Sequence, residues 1–281
     1  MPLTAYVHGG CVTSQSRHDI ICRGHQDICC LNVEAPVERL TPAVAAFFDL
    51  DKTVISKSST LAFGRPFYRH GLISRADALR SVACQLVFRV TGANHAQMER
   101  IKEWVGGLCR GWPVDRVTAI VTHYLDELIL PYVYAEARAL IAAHREAGQD
   151  VIIVSTSGHE VVDPIARLLG ADSVIATRMQ VAGGCYTGVL EFYAYGEAKA
   201  SRVRELAAER GYRLKDCYAY SDSVTDLPLL QTVGHPYAVN PDRSLRRIAT
   251  ERGWPILEFT SRAPGPEPRR AESSVKGHAA G

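Results

Sequence analysis

The sequence contains no apolar stretch approaching the roughly 18 to 20 residues needed to cross a bilayer. Its first 30 residues carry no charged start followed by an apolar run of the secretory kind. Both absences point to the cytoplasm as the expected compartment. A long basic run is missing too: 32 Lys+Arg against 30 Asp+Glu leave a formal charge of +2, so electrostatics give no case for nucleic acid. The cluster Arg243, Arg246, Arg247 and Arg252 reads as one solvated helix face. There is no Cys-x-x-Cys pair. Of eight cysteines, Cys11, Cys22, Cys29 and Cys30 crowd the first 30 residues, where with His18 and His25 they match no zinc template. Cys84, Cys109, Cys185 and Cys217 are scattered and read as small buried hydrophobes.

What is present suits a globular protein. With 281 residues, 47% hydrophobic and 22% charged, the chain can bury one large core, or a core plus a smaller inserted domain. Residues 1–42 read as a poorly ordered leader. Residues 261–281, with Pro264, Pro266 and Pro268, read as a disordered tail.

Between these ends the pattern alternates. Val44 to Leu50 predicts a strand; residues 54–130 predict helices, with amphipathic segments at Ala76–Val90 and Val114–Ile129; Tyr132–Ala147 predicts a helix stopped by Gly148. From Asp150 strands and helices take turns. Asp150–Val154 is a β-branched strand, Glu160–Leu169 a helix, Ser173–Ala176 a short strand, and Gly183-Gly184 the tip of a hairpin. Glu197–Arg210 follows as a helix, Cys217–Tyr220 as a strand, Thr225–Thr232 as a helix and Tyr237–Val239 as a strand. Such alternation predicts an α/β fold with a doubly wound, Rossmann-like parallel sheet. The helical block after the first strand is too long for an ordinary crossover. It is expected to be an inserted cap, residues 54–130, over a core formed by 43–53 and 131–260.

Polar groups fall at the predicted carboxyl ends of the strands, where open α/β sheets bind ligands. Asp49 and Asp51 follow the apolar run Ala43–Phe48 and point to one side of their strand. Two buried acids so placed are costly unless a cation or a phosphate gathers them, although a lone Asp-x-Asp also suits an ordinary turn. The second strong strand runs into Ser155-Thr156-Ser157-Gly158, whose hydroxyls and backbone N–H groups suit an anion or a simple helix cap. Lys199 begins a helix, where a cation gains nothing from the macrodipole. Asp222 and Asp226 close a third strand. Carboxylates converging from these positions would repel one another without a divalent cation.

Taken together, Asp49-Leu50-Asp51-Lys52-Thr53, Ser155, Lys199 and the Asp222/Asp226 pair resemble the motif set of the haloacid dehalogenase superfamily. The likeness is to its phosphoserine phosphatase-like branch with a helical cap. The resemblance covers roughly residues 44–258 and departs from the family pattern at Ser221, where glycine is usual. It implies a phosphomonoester hydrolase in which Asp49 is the nucleophile and forms an aspartyl phosphate, and Asp51 serves as acid and then base. Lys199 and Ser155 would hold phosphoryl oxygens, and Thr53 would brace the nucleophile loop. Thr156, Ser157 and Gly158 would add donors. Mg²⁺ would be held by Asp49, the carbonyl of Asp51 and Asp222, with Asp226 behind them. The acid at Asp51 argues against the dehalogenases, which lack one there, and against P-type ATPases, which place Thr at that position.

The implied partner is a small phosphomonoester, with no nucleic acid and no membrane span; the oligomeric state stays open. Phosphoserine phosphatases use a glutamate shortly after the nucleophile motif to bind the substrate's amino group, and Val54–Thr60 contains no acid. Leu61, Phe63, Phe67, Tyr68, Leu86, Val87, Phe88 and Trp104 supply apolar cap positions that either pack the cap or line a cavity. In the second case a larger, less polar substrate is expected, such as a lysophosphatidate. A catalytically silent binding scaffold and transfer to an acceptor other than water are the alternatives.

Overall fold

Asp49 ends a strand with no exposed residue in it. In the computed structural model, which describes residues 44–74 and 95–262, β1 (Ala45–Asp49) is buried along its whole length. The expectations for the leader and its cysteines and histidines, for the Ala76–Val90 helix with Cys84, Leu86, Val87 and Phe88, and for the tail from 263 onward lie outside the described residues.

β1 is flanked on one side by β2 (Asp150–Gly158) and on the other by β5 (Tyr218–Ser221), both parallel to it. With β3 (Ser173–Ala182), β4 (Cys185–Phe192), β6 (His235–Val239) and β7 (Ile256–Leu257), the seven-stranded order is β4-β3-β2-β1-β5-β6-β7. Only β4 runs antiparallel, as the return of a hairpin from β3. The strand expected at Ser173–Ala176 is therefore longer. It continues beyond the parallel sheet because its partner there is the hairpin's second arm.

Alternate residues of β1 and β2 bury on opposite faces, as the two-residue strand period requires. Ala46, Phe48, Val151 and Ile153 join a core with α5 (Ala135–Glu146) and α6 (His159–Leu169). Ala45, Phe47, Ile152 and Val154 join a second core with α7 (Glu197–Arg210), α8 (Leu227–Thr232) and α9 (Arg243–Arg252). Both faces are covered, which makes the sheet doubly wound. The arginines of α9 are surface groups as expected: Arg246 pairs with Glu258, Arg247 with Glu251, and Arg252 lies over the Trp254 ring.

Between β1 and α5 the described residues form α1 (Ser59–Ala62), α2 (Gly64–Arg69), α3 (His95–Cys109) and α4 (Val114–Leu128). Its outgoing and returning connectors meet. Ser56 N–H donates to Tyr132 O at 2.8 Å and Tyr134 N–H to Val54 O at 3.0 Å. A second anchor joins the insertion to the hairpin: Gly111 N–H reaches Tyr186 O and Tyr186 N–H reaches Trp112 O. Beside it α3 packs so closely on β4 that a Cβ on Gly106 would stand 2.1 Å from the carbonyl oxygen of Gly188.

The core beside β1 also contains a titratable group. His144 is buried, with its Nε2 2.8 Å from the Tyr220 hydroxyl and its ring edge-on to Phe48. Burial lowers its pKa below the ordinary 6.5, against a contribution from Gln149. The unfolded chain therefore takes up a proton near that value which the folded chain refuses. Stability should be full above it and fall as the pH drops through it, by up to about 1.4 kcal/mol per pH unit. Urea denaturation on both sides of that pH should show this slope in the parent and a shallower one in His144→Gln.

Candidate active site

The sheet register brings the polar groups together. Asp49 is paired with Val154 and Phe48 with Tyr220, so Asp49, Ser155 and Ser221-Asp222 emerge at the carboxyl ends of three adjacent central strands. After Asp51 the backbone bends at Lys52, whose φ of 65° is a left-handed conformation costing a non-glycine residue about 1–2 kcal/mol. The bend is closed by Leu50 O, which accepts from both Val54 N–H and Ile55 N–H at 3.0 Å.

This turn gives the two acids different surroundings. Asp49, 6% exposed, accepts from the Lys199 ammonium at 2.7 Å through Oδ1. Thr53 Oγ1 lies 3.4 Å from its Oδ2 and 3.5 Å from Oδ1 of Asp222, bridging β1 to β5. Asp51 turns the other way. Its Oδ1 accepts from Ser59 N–H at 2.7 Å and its Oδ2 from Ser157 Oγ at 3.1 Å.

Lys199 occupies the first turn of α7, which starts at Gly196 in a positive-φ conformation (φ 53°) suited to glycine. The ammonium also donates to Asp226 Oδ2 at 2.9 Å, and Ser221 Oγ donates to that same oxygen at 2.8 Å. Ser221 thus does hydroxyl work that the family's usual glycine could not.

The charges are held against burial. Burial works against the Lys199 ammonium, but Asp226 and Asp49 outweigh it and keep its pKa above the ordinary lysine value. Burial raises the Asp49 carboxyl well above the carboxylate range; Lys199 opposes this, while Asp226 and Asp222 add to it. Asp222 is pushed up to about 7, first by burial, with Lys52 pulling the other way. Asp51 is raised by burial against the donors Ser59 and Ser157.

Two raised carboxylates, Asp49 and Asp222, linked through one hydroxyl are a donor set that a divalent cation would relieve. Among the described residues no three His, Cys, Asp or Glu side chains group as a metal site. Magnesium is compatible with that, since it takes one or two carboxylates and fills the rest with water and phosphate oxygen. The pair fits the ion, with Asp226 committed to Lys199 and Ser221.

The remaining residues divide by what their side chains already do. Ser155 is buried within β2, at the register shift that follows its pairing with Ala176, and its Oγ accepts from Ser157 N–H at 3.2 Å. Thr156 Oγ1 donates to Ala194 O, leaving the side chain structural. Ser157 Oγ touches Asp51, Ser59 Oγ and Thr60 Oγ1, the latter two at 2.9 Å, so its hydroxyl serves the acid. Gly158 caps α6 and lines the cavity. Ser59 and Thr60 are marked in the sequence only by the Ser58-Ser59-Thr60 run, of a kind common at helix starts.

Above these groups lies a cavity of about 970 Å³. Leu61, Phe67, Tyr68 and Trp104 line it, whereas Phe63 is fully buried and packs in the core. The apolar stripe is thus split between the two roles.

The pattern of the haloacid dehalogenase-like hydrolases matches residues 46–231. The chain is 60% identical over 219 residues to the "Inhibition of morphological differentiation protein" of Streptomyces azureus, covering 78% of this chain and 79% of that one. It is 52% identical over 238 residues to a probable phosphatase of Mycobacterium tuberculosis, covering 81% and 83%. A phosphoserine phosphatase of the same organism is 35% identical over 217 residues, covering 76% and 70%. Among solved structures, a protein of unknown function from Bordetella pertussis Tohama I superposes with a TM-score of 0.68 at 31% identity, covering 77% of this chain and 99% of that one. With matches of this extent around an Asp-x-Asp motif at the mouth of a doubly wound sheet, the chain belongs to the haloacid dehalogenase-like hydrolases.

Proposed function

We propose that the protein is a phosphatase that hydrolyses a phosphomonoester through an aspartyl phosphate on Asp49, with residues 54–130 acting as a cap over the site. The reading is carried by the divergent environments of the two acids: Asp49 faces the Lys199 ammonium, and Asp51 faces Ser59 N–H and Ser157 Oγ. Neighbouring carboxyls with unlike surroundings are how one site divides nucleophile from acid. The probable-phosphatase name of the Mycobacterium tuberculosis relative supports the reaction class.

A carboxylate oxygen of Asp49 attacks phosphorus while the bond to the leaving oxygen breaks. Asp51, held by Ser59 N–H and Ser157 Oγ on the side away from Lys199, gives a proton to the departing alcohol. Water then attacks phosphorus, the bond to Asp49 breaks, and the water's proton passes to Asp51. Lys199, with backbone N–H groups of Ser155–Gly158 in the last part of β2, balances the phosphoryl charge throughout. A bound Mg²⁺, held by Asp49, Asp222 and the carbonyl of Asp51, would offset the repulsion between nucleophile and phosphate. The cavity's apolar lining supports a leaving group larger than serine.

The test is release of phosphate from p-nitrophenyl phosphate with excess Mg²⁺ and after chelation. Loss to background on chelation and return on readdition is the expected result. Activity indifferent to the cation would refute the metal-assisted reading, and no activity under either condition would favour a silent binding scaffold.

A further inference from the structure

The ladder between β2 and β3 slips beside the site. Ser155 pairs with Ala176 and Gly158 with Thr177, so Thr156 and Ser157 have no opposite residue on β3. A bulge of this kind takes backbone groups out of the ladder and re-aims its side chains. The carbonyl of Thr156 is one such group, and it accepts from Thr177 Oγ1 at 2.6 Å. The same Thr177 oxygen takes the N–H of Ala194 at 3.2 Å, while Ala194 O accepts from Thr156 Oγ1 at 2.9 Å. Thr156, Thr177 and Ala194 thus close a ring of three hydrogen bonds.

A buried strand threonine commonly does no more than satisfy its own hydroxyl. What this ring joins gives it a larger part. On one side is the bulge, whose backbone amides lie in the stretch assigned to phosphoryl oxygens. On the other is the segment entering α7, where Ala194 precedes the N-cap Gly196 and Lys199 stands in the first turn. Ala194 is fully buried and Thr177 nearly so, which leaves no water to replace a lost partner. Thr177 lines the cavity, but a hydroxyl has one hydrogen, and here it is committed to Thr156 O. It has no donor left for a substrate.

Resting on the phosphatase reading, we infer that Thr177 is a positioning residue for phosphoryl transfer: its hydroxyl ties the Thr156-Ser157 bulge to the chain entering α7. That tie fixes the spacing between the bulge amides and the Lys199 ammonium. Groups that balance transition-state charge act fully only when already aimed, and a displacement of about 1 Å can cost about 10²-fold. Valine has the shape of threonine without the hydroxyl. In Thr177→Val the buried Thr156 O and Ala194 N–H lose their shared partner, and the two halves are free to drift apart.

The experiment measures cleavage of p-nitrophenyl phosphate with excess Mg²⁺ by the parent, Thr177→Val and Thr177→Ser, well below the melting temperature of each. Inhibition by orthovanadate, which takes the five-coordinate shape of the transition state, is compared with inhibition by inorganic phosphate. In Thr177→Val, kcat should fall by about 10- to 100-fold with KM within about twofold of the parent. Orthovanadate binding should weaken with kcat/KM, and phosphate binding much less. Thr177→Ser, which keeps the hydroxyl, should recover most of the loss. Thr156→Val opens the same ring at its other hydroxyl and should show the same split, which keeps the test decisive if Thr177→Val does not fold.

A parent-like kcat in either valine variant overturns the inference and leaves the phosphatase reading standing, whatever the melting temperature does. So does a loss confined to KM, which would make Thr177 a substrate contact, or a Thr177→Ser protein as impaired as Thr177→Val. Equal weakening of orthovanadate and phosphate overturns it too. A parent that does not cleave p-nitrophenyl phosphate removes the phosphatase reading together with this one.

Discussion

Asp49→Asn is expected to lower phosphate release by about 10⁴-fold or more, because the amide cannot form the acyl phosphate on which both half-reactions depend. Folding should respond in the opposite sense. The Asp49 carboxyl is raised by burial and by the neighbouring Asp226 and Asp222, with Lys199 as the opposing attraction. A raised carboxyl is a charged form the fold tolerates poorly above its ordinary pKa, so a neutral side chain of the same shape relieves that cost. The amide oxygen still accepts from Lys199 in place of Oδ1. Without added cation, the melting temperature of the variant should match or exceed that of the parent. A variant that loses activity and stability together would show that Asp49 is chiefly structural.

Lys199→Met should lose on both counts. One ammonium serves two buried carboxylates, Asp49 Oδ1 at 2.7 Å and Asp226 Oδ2 at 2.9 Å, and is itself only 2% exposed. Removing it leaves two buried carboxylates without their counter-ion, a loss of about 3–5 kcal/mol in comparable cases. It also removes a fixed positive charge from the phosphoryl position, expected to cost about 10²- to 10³-fold in kcat. Lys199→Arg should restore little, because a planar fork does not reproduce a compact ammonium placed between two acids. Denaturant unfolding and steady-state kinetics on both variants check this. Parent-like stability in Lys199→Met would mean that the ion pairs contribute little to folding.

Much of this site was legible along the chain because each part is local to one strand end. Asp49 and Asp51 follow an uninterrupted apolar run, Ser155 ends a β-branched run, and Asp222 and Asp226 follow a third strand. Lys199 was legible only through that company, since at a helix start it gains nothing by itself. The fold class was legible for a related reason: alternating strand and helix periods leave few ways to cover both faces of a sheet. Less visible were β7, two residues long, and the extension of β3 into the hairpin. Such short or amphipathic segments become strands through their partners and not through their own composition.

The sequence alone determined the class of sheet, the carboxyl-end placement of the acids and lysine, and the absence of an acid from Val54–Thr60. Tertiary structure decided which group serves which. Ser157, expected to offer its backbone amide to phosphate, also turns its hydroxyl to Asp51; Ser221, known from sequence only as a departure from glycine, steadies Asp226. It also brought Glu160 into a cavity with Tyr186 and the Trp104 and Trp112 rings. The physical reason is range. Strand and helix periods are written in neighbouring residues, whereas the pairing of Asp51 with Ser157 spans 106 positions and exists only once the register between β1 and β2 is set.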